Sequence, residues 1–207
     1  RRAVVIGAGY IGLEVADALV SRGLEVTVLE KSDTLLEGIE AEIAAHVDSV
    51  LQQHGVRLLK RAAVTVINSD QKQRAVSVQY SVGGSVAADL VLLATGIVPS
   101  AQLANAAGIQ LGPTGAIAVD ERMLTSVSSI YAAGDCTEVR HLVTGKPAYL
   151  PLGTTANKQG RVAGENAAGG NARFEGVVGT LVTKVFDLEV GKTGISTCQA
   201  AQCGFLT

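Results

Sequence analysis

Hydrophobic and polar positions along this chain follow two rhythms, and the change between them falls near residue 60. Residues 3–6 (Ala-Val-Val-Ile) form an uninterrupted apolar run, the pattern of a strand buried in a parallel sheet. Ile11, Val15, Ala18 and Leu19 then recur at helical spacing until Gly23. A second strand is expected at 25–29 and a third at 56–59, after Gly55. Between them lies a helix with Ile39, Ile43, Val47, Val50 and Leu51 on its apolar face and Ser32 or Asp33 as its cap. This is a β-α-β-α-β half of a Rossmann-like unit. Beyond it the period becomes two: 64–67, 75–80 and the turn region 82–86 read as an antiparallel meander. The sheet resumes at 89–96 and closes at Gly96 and Pro99. A short helix at 101–107, a turn at 112–115 and strands at 116–119 and 129–135 follow, then a loop at 142–151. Thr154 or Thr155 caps a helix carrying Ala156, Val162, Ala163 and Ala167, ended by Gly169 and Gly170. From 174 new strands begin, including 180–186, but the tail stops before a core could close. The fold class is α/β, a Rossmann-like parallel sheet with an antiparallel β-meander insert.

Between the first strand and helix, Gly7, Gly9 and Gly12 stand at the spacing G-x-G-x-x-G. Gly7 permits a tight turn, Gly9 lets backbone approach a pyrophosphate, and Gly12 lets helix and strand pack closely. The helix N-terminus offers unpaired N–H groups and positive dipole to phosphates. The spacing alone is weak, because any glycine turn can serve packing. Here Glu30 ends the second strand about 20 residues further on, where an acid accepts hydrogen bonds from a ribose. Strand, glycine turn, helix, strand and terminal acid in that order define a dinucleotide site.

Composition narrows the picture further. The 207 residues are 47% hydrophobic with 24 glycines, which suits an α/β protein with many tight turns, and the net charge of −2 gives no reason to expect a nucleic-acid partner. No apolar run approaches membrane-spanning length and there is no secretory pattern, so no membrane partner is expected either. Cys136, Cys198 and Cys203 make neither a disulfide framework nor a zinc-ligand spacing, and a reducing, cytoplasmic setting is the default. His46 and His54 fall on one helix and read as solvated. Arg1 leads straight into a core strand, as in a chain cut from something longer.

Four motifs in order carry a resemblance: Gly-Ala-Gly-Tyr-Ile-Gly-Leu-Glu14, Ala-Thr-Gly96, Thr125-Ser-Val-Ser-Ser-Ile-Tyr-Ala-Ala-Gly-Asp135 and Leu152-Gly-Thr-Thr-Ala-Asn-Lys-Gln-Gly160. Together they resemble the pyridine nucleotide-disulfide oxidoreductases, within them the coenzyme A-disulfide reductase and NADH oxidase branch. The stretch 145–170 and Val182-Thr-Lys-Val-Phe-Asp187 are particularly similar to that branch. The resemblance implies an NAD(P)H-binding Rossmann domain at 1–112, the second half of a split FAD-binding domain at 113–170, and the start of a dimerisation domain at 171–207. It implies a homodimeric FAD enzyme that takes hydride from NADH and passes electrons to a small disulfide, such as coenzyme A disulfide, or to oxygen. The N-terminal FAD half, with its own glycine fingerprint and redox cysteine, is not in this sequence, so the chain alone is expected to be inactive. A ferredoxin- or rubredoxin-reductase relative and an NAD(H)-binding module without catalysis are the alternatives.

The expected nucleotide contacts are Gly7, Gly9, Tyr10, Ile11, Gly12, Glu30, Lys31 and Gly96. Glu30 favours NADH over NADPH by repelling a 2′-phosphate, and Lys31 next to it softens that preference. Glu14, placed on the first turn of the helix, has two readings: a carboxylate near the nicotinamide, as the resemblance implies, or a helix-dipole acid. By the resemblance, Asp135 accepts hydrogen bonds from the FAD ribityl chain, and Leu152, Gly153, Thr154, Thr155 and Asn157 lie at the flavin ring. The bland readings are an Asx turn and a capped surface helix. Cys198 and Cys203 have a Cys-x-x-x-x-Cys spacing whose neighbours do not match a redox pair, and Cys136 has no second cysteine near it in sequence.

Overall fold

The computed structural model describes residues 1–81 and 83–206; Val82, in the expected meander turn, lies outside them. The chain divides into two compact units. One takes Arg1–Gly96, Leu181–Lys192 and the residues from Ser196 on; the other takes Ile97–Thr180 and Thr193–Ile195.

The first unit opens with β1 (Arg2–Ile6), α1 (Tyr10–Ser21), β2 (Glu25–Leu29), α2 (Ala41–Gln53) and β3 (Arg57–Leu59), the alternation that the apolar runs predict. The meander follows as β4 (Val64–Ser69), β5 (Ala75–Tyr80) and β6 (Gly84–Ala87), and β7 (Leu90–Leu93) returns to the parallel sheet. Sheet order is β3-β2-β1-β7, with Val4 opposite Thr27 on one side and Val91 on the other. Successive side chains of a strand point to opposite faces, and both faces here are covered. Ala3, Val5, Val26 and Val28 pack with Leu13 and Ala16 of α1 and Val47 and Leu51 of α2. Val4, Ile6 and Leu29 pack with Val78, Val86 and Ala88 of the meander. Each buried Val, Leu or Ile side chain among these contributes about 1.5–3 kcal/mol. The meander is therefore the cover for the sheet's second face.

Two details of the helices differ from the pattern. α1 buries Gly12, Leu13 and Ala16, while Ile11 is exposed, because the close approach of Gly12 turns that side of the helix to the sheet. α2 starts only at Ala41, after the extended Glu40, and Ile43 is exposed. Ser32 and Asp33 do not cap it. Residues 31–40 are a connection in which Asp33 pairs with Arg61 and Leu35 and Leu36 bury themselves in the helix-side core.

The second unit holds α3 (Gln102–Ala106), the short pair β8 (Val139–Arg140) and β9 (Pro147–Ala148), and α4 (Gly153–Ala167). Its apolar cluster gathers Ala101, Ile109 and Ile117 with Val119, Val127 and Ala132. The strands expected at 116–119 and 129–135 are not ladders. Ile117 makes single bridges to Leu111 and Thr137, and Tyr131 one to Leu124. Ile117, Val119 and Ala132 pack as the sequence pattern asks while Ile130 is exposed, and a ladder also needs a paired neighbour along its length. The apolar face expected for α4 is likewise replaced: Thr155, Gln159 and Asn166 are its buried residues.

The tail closes a core after all. β10 (Leu181–Val185) and β11 (Leu188–Lys192) form a two-residue hairpin, and α5 (Thr197–Gln202) follows with a capping box between Ser196 and Gln199. Val185, Phe186 and Val190 join the helix-side core of the first unit. At the hairpin tip Phe186 has φ 53, uncommon for a bulky residue. Its amide donates to Asp17 Oδ2 at 3.0 Å, and its ring stacks on His54 with centroids 3.9 Å apart. His54 is thus half-buried by a partner from far along the chain rather than solvated, while His46 is exposed.

Arg2 and Asp89 tie the start of β1 to the residue before β7 at 2.7 Å. The Arg2 guanidinium, then its backbone N–H, hold the Asp89 carboxyl down to about 2 from its ordinary 3.8. A carboxyl depressed in the folded state stabilises above its unfolded value, and the contribution is lost as pH falls through the folded one. Melting temperatures measured from pH 5 to pH 2 should fall below pH 4 with a component that Asp89→Asn lacks. Identical acid limbs for the two proteins would exclude this pair as a contributor.

Candidate functional site

The glycine turn sits where β1 hands over to α1, at the C-terminal edge of the parallel sheet. Gly7 has φ +103, and a Cβ there would come within 2.3 Å of the Ala94 carbonyl oxygen. A Cβ on Gly12 would come within 2.1 Å of the Gly7 carbonyl oxygen. Around Gly9, its chain neighbours and its own helix backbone apart, no atom of the described residues lies within 4 Å of the Cβ position. Two glycines are thus demanded by the protein's own backbone, while at Gly9 the fold itself would admit a side chain. Gly9 is the N-cap of α1 and no side chain caps the helix, so its first N–H groups face outward unclaimed by a side chain, an arrangement that favours an anion.

Glu30 is anchored beside this turn. Its Oε2 accepts from the Ala8 amide and its Oε1 from the Ser32 amide, both at 2.8 Å. The Ala8 carbonyl accepts in turn from the Leu36 amide at 3.0 Å. Lys31 is exposed next to the acid, Tyr10 is half-buried and Ile11 exposed at the start of α1. Gly96, with φ +99, is exposed just past β7. The structure therefore brings Gly7, Gly9, Gly12 and Glu30 to one turn.

Glu14 lies in the second turn of α1, since the helix starts at Tyr10 and its first turn holds no acid. That removes the helix-dipole reading, whose reach ends with the first turn. Its Oε1 accepts from the buried Thr183 hydroxyl at 2.7 Å. Thr183 and Asp17, which holds the hairpin tip, were not singled out by sequence, because each makes its bond to a residue 169 positions away.

In the second unit, Asp135 is exposed in a turn whose ends are joined by the Thr137 amide and Gly134 carbonyl at 3.0 Å. Gly134, at φ +86, donates its amide to Gln159 Oε1 at 2.9 Å. Gln159 is 1% exposed and its Nε2 is buried with no hydrogen-bond partner among the described residues. Neither Thr154 nor Thr155 caps α4. The N-cap is Leu152, without a side-chain cap, so Gly153, Thr154 and Thr155 form the helix's open first turn. Thr154 and Asn157 are exposed and Thr155 is buried. Gln159 was missed because it is polar. Its signal was the spacing of Thr155, Gln159 and Asn166 at helical period, a buried polar stripe that a hydropathy reading discards. Replacing Gln159 with Leu should lower stability by about 1 kcal/mol, since Gly134 loses its acceptor while the unpartnered Nε2 disappears as well. It should also speed hydrogen exchange at the Gly134 amide. Unchanged exchange there would show that the turn does not depend on Gln159.

A parallel sheet with a glycine turn, an uncapped helix N-terminus and an acid fixed at the end of the second strand defines a dinucleotide-binding α/β protein. Comparison with known proteins makes the class specific: residues 1–160 match the family model described as pyridine nucleotide-disulphide oxidoreductase, and the chain belongs to that family. It is 42% identical over 203 residues to an NAD(P)H sulfur oxidoreductase (CoA-dependent) of Pyrococcus furiosus, covering 98% of this chain and 45% of the relative. An NADH oxidase of Methanocaldococcus jannaschii is 39% identical, with 97% and 44% covered. Among solved structures, the NAD-dependent persulfide reductase of A. fulgidus superposes with TM-score 0.94 at 45% identity, over 99% of this chain and 38% of that one. The water-forming NADH oxidase of Lactobacillus brevis, bound to NADH, gives 0.91 at 29% identity, over 99% and 45%. The chain spans less than half the length of these relatives.

Proposed function

We propose that this chain is the nucleotide-binding portion of an FAD-dependent NADH oxidoreductase whose acceptor is a low-molecular-weight disulfide or persulfide, or oxygen. The observation that carries the reading is Glu30, fixed by two backbone amides beside an open Gly9 and an uncapped α1. An ADP moiety fits those features: N–H groups for its phosphates, free space for backbone approach, and a carboxylate for ribose hydroxyls. In this reading Gly7, Gly9, Tyr10, Ile11 and Gly12 hold the pyrophosphate end, Glu30 and Lys31 the adenosine ribose, and Glu14 and Gly96 the nicotinamide end. Asp135 and the first turn of α4, with Leu152, Gly153, Thr154, Thr155 and Asn157, fit the ribityl chain and ring of FAD. The uncapped α4 terminus offers N–H groups that stabilise negative charge on a reduced ring. When bound, FAD supplies the two-electron step between nicotinamide and acceptor, and the protein supplies position and electrostatics.

Names of the similar proteins support a sulfur-containing acceptor: two act, by name, on sulfur or persulfide, and others are NADH oxidases. The domain assignment that goes with the reading is 1–112 for NAD(P)H, 113–170 for part of the FAD domain and 171–207 for the opening of a dimerisation domain, in a cytoplasmic homodimer. Calorimetric titration with NADH and NADPH tests the nucleotide half, with tighter NADH binding expected. Equal or tighter NADPH binding would sink the role given to Glu30. Titration with FAD, followed by flavin fluorescence, tests the other half.

A further inference from the structure

The connection 30–40 grips the glycine turn but is itself neither helix nor strand. Through Glu30 it takes the Ala8 N–H, and through the Leu36 amide it takes the Ala8 carbonyl. Leu36 holds φ 51, an uncommon conformation for a residue with a side chain of that size, and persists only if its surroundings over-determine it. Those surroundings come from the other end of the chain. Lys192 Nζ, at the end of β11, donates to the Gly38 carbonyl at 2.9 Å. Glu40 Oε1 accepts from the Thr197 amide at 2.7 Å and from its hydroxyl at 2.9 Å. Space at Gly38, with φ +83, is bounded by the same segment: a Cβ there would meet Lys192 Nζ at 3.0 Å and Gln199 Nε2 at 3.4 Å. Beneath the connection, Leu35 and Leu36 share a core with Val185, Phe186 and Val190.

A path thus runs from Lys192 by a hydrogen bond to Gly38, along two residues of backbone to Leu36, and by two further hydrogen bonds through Ala8 to the Glu30 carboxylate. We propose that Lys192 is a positioning residue for the dinucleotide site, through which the segment 181–206 sets nucleotide affinity without touching the nucleotide. The inference rests on the reading of Gly7–Gly12 and Glu30 as the NADH site. It deepens that reading by making affinity depend on whether the C-terminal hairpin is docked. Lys192 suits the task because its ammonium makes a charge-assisted bond to a carbonyl, stronger than a neutral one. Thr197 holds the last residue of the same connection, so the two act on opposite sides of Ile39.

The test uses the whole 207-residue chain as wild type, Lys192→Met, Lys192→Arg and Thr197→Ala. NADH affinity is measured by calorimetry well below the melting temperature, with hydrogen exchange at the Ala8 and Leu36 amides read in parallel. Lys192→Met should weaken NADH binding about 5- to 20-fold, the scale of a lost hydrogen bond to a charged group acting at one remove. It should speed exchange at Ala8 and Leu36 while leaving Val5 and Val28 protected. Lys192→Arg should restore both readouts to within about threefold, because a guanidinium still donates to the Gly38 carbonyl. Thr197→Ala should move both in the same direction by less. A role in stability alone would lower the melting temperature and leave the affinity of the folded protein unchanged, and that result overturns the proposal. If wild type fails to bind NADH, the dinucleotide reading falls. Exchange at Ala8 then decides the link: faster in Lys192→Met upholds it, unchanged refutes it.

Discussion

Gly9→Ala should leave the melting temperature where it is and remove most of the affinity for NADH, whereas Gly12→Ala should cost stability first. At Gly9 a Cβ meets nothing within 4 Å, and the backbone is extended at φ −76 and ψ 176, open to any L residue. Substitutions of that kind stay within about 0.5 kcal/mol of neutral. The methyl would stand in the space that a pyrophosphate needs, and a loss of about a hundredfold in affinity corresponds to roughly 2.7 kcal/mol. At Gly12 the methyl would meet the Gly7 carbonyl oxygen at 2.1 Å, so turn or helix must move. Forcing a group into packed backbone costs about 3 kcal/mol, which for a chain of this size lowers the melting temperature by roughly 6–12 °C. Thermal melts and calorimetry on the two variants separate the roles. Equal loss of stability in both would mean that Gly9 is a packing glycine.

Glu30→Ala should raise the Kd for NADH about 10- to 100-fold while affecting NADPH less. A hydrogen bond to a charged group is worth about 1.5–3 kcal/mol, and the ribose would lose its acceptor. The same change strips Ala8 and Ser32 of their acceptor, so some of the loss comes through the turn itself. Glu30→Gln separates the two contributions. It keeps an oxygen for one amide but lacks the charge that excludes a 2′-phosphate, so the ratio of NADH to NADPH affinity should collapse further than the NADH affinity does. Equal losses for both nucleotides in Glu30→Ala would dismiss the ribose assignment.

What could be read from sequence was whatever depends on neighbours within a few residues. The apolar runs of β1 and β2, the period-two meander and the glycine spacing each encode a local geometry, and all were found in the structure. Glu30 was legible because its place at the end of β2 follows from counting. The start of α2 was not: Ser32 and Asp33 look like caps, yet Asp33 is engaged by Arg61 and the connection runs on to Glu40. The expected strands at 116–119 and 129–135 were misread because an apolar run reports burial, not pairing. Gln159, Thr183 and Lys192 escaped because each is polar and acts on a residue between 25 and 169 positions away. In the candidate site, the groups that face a ligand were visible in sequence, and the groups that hold them were not.

The split composition of the first unit has a consequence for synthesis. Its parallel sheet, α1 and α2 are complete by Gly96, but the hairpin that covers those two helices begins at Leu181. A ribosome working at about 5–20 residues per second needs roughly 4–17 s to make the intervening stretch. Throughout that interval Leu13, Val47 and Leu51 lack the shelter of Val185 and Phe186. The nascent protein therefore carries an open apolar seam throughout that interval, the condition under which holding chaperones engage a chain, and the seam shuts only once Val185 and Phe186 have been made.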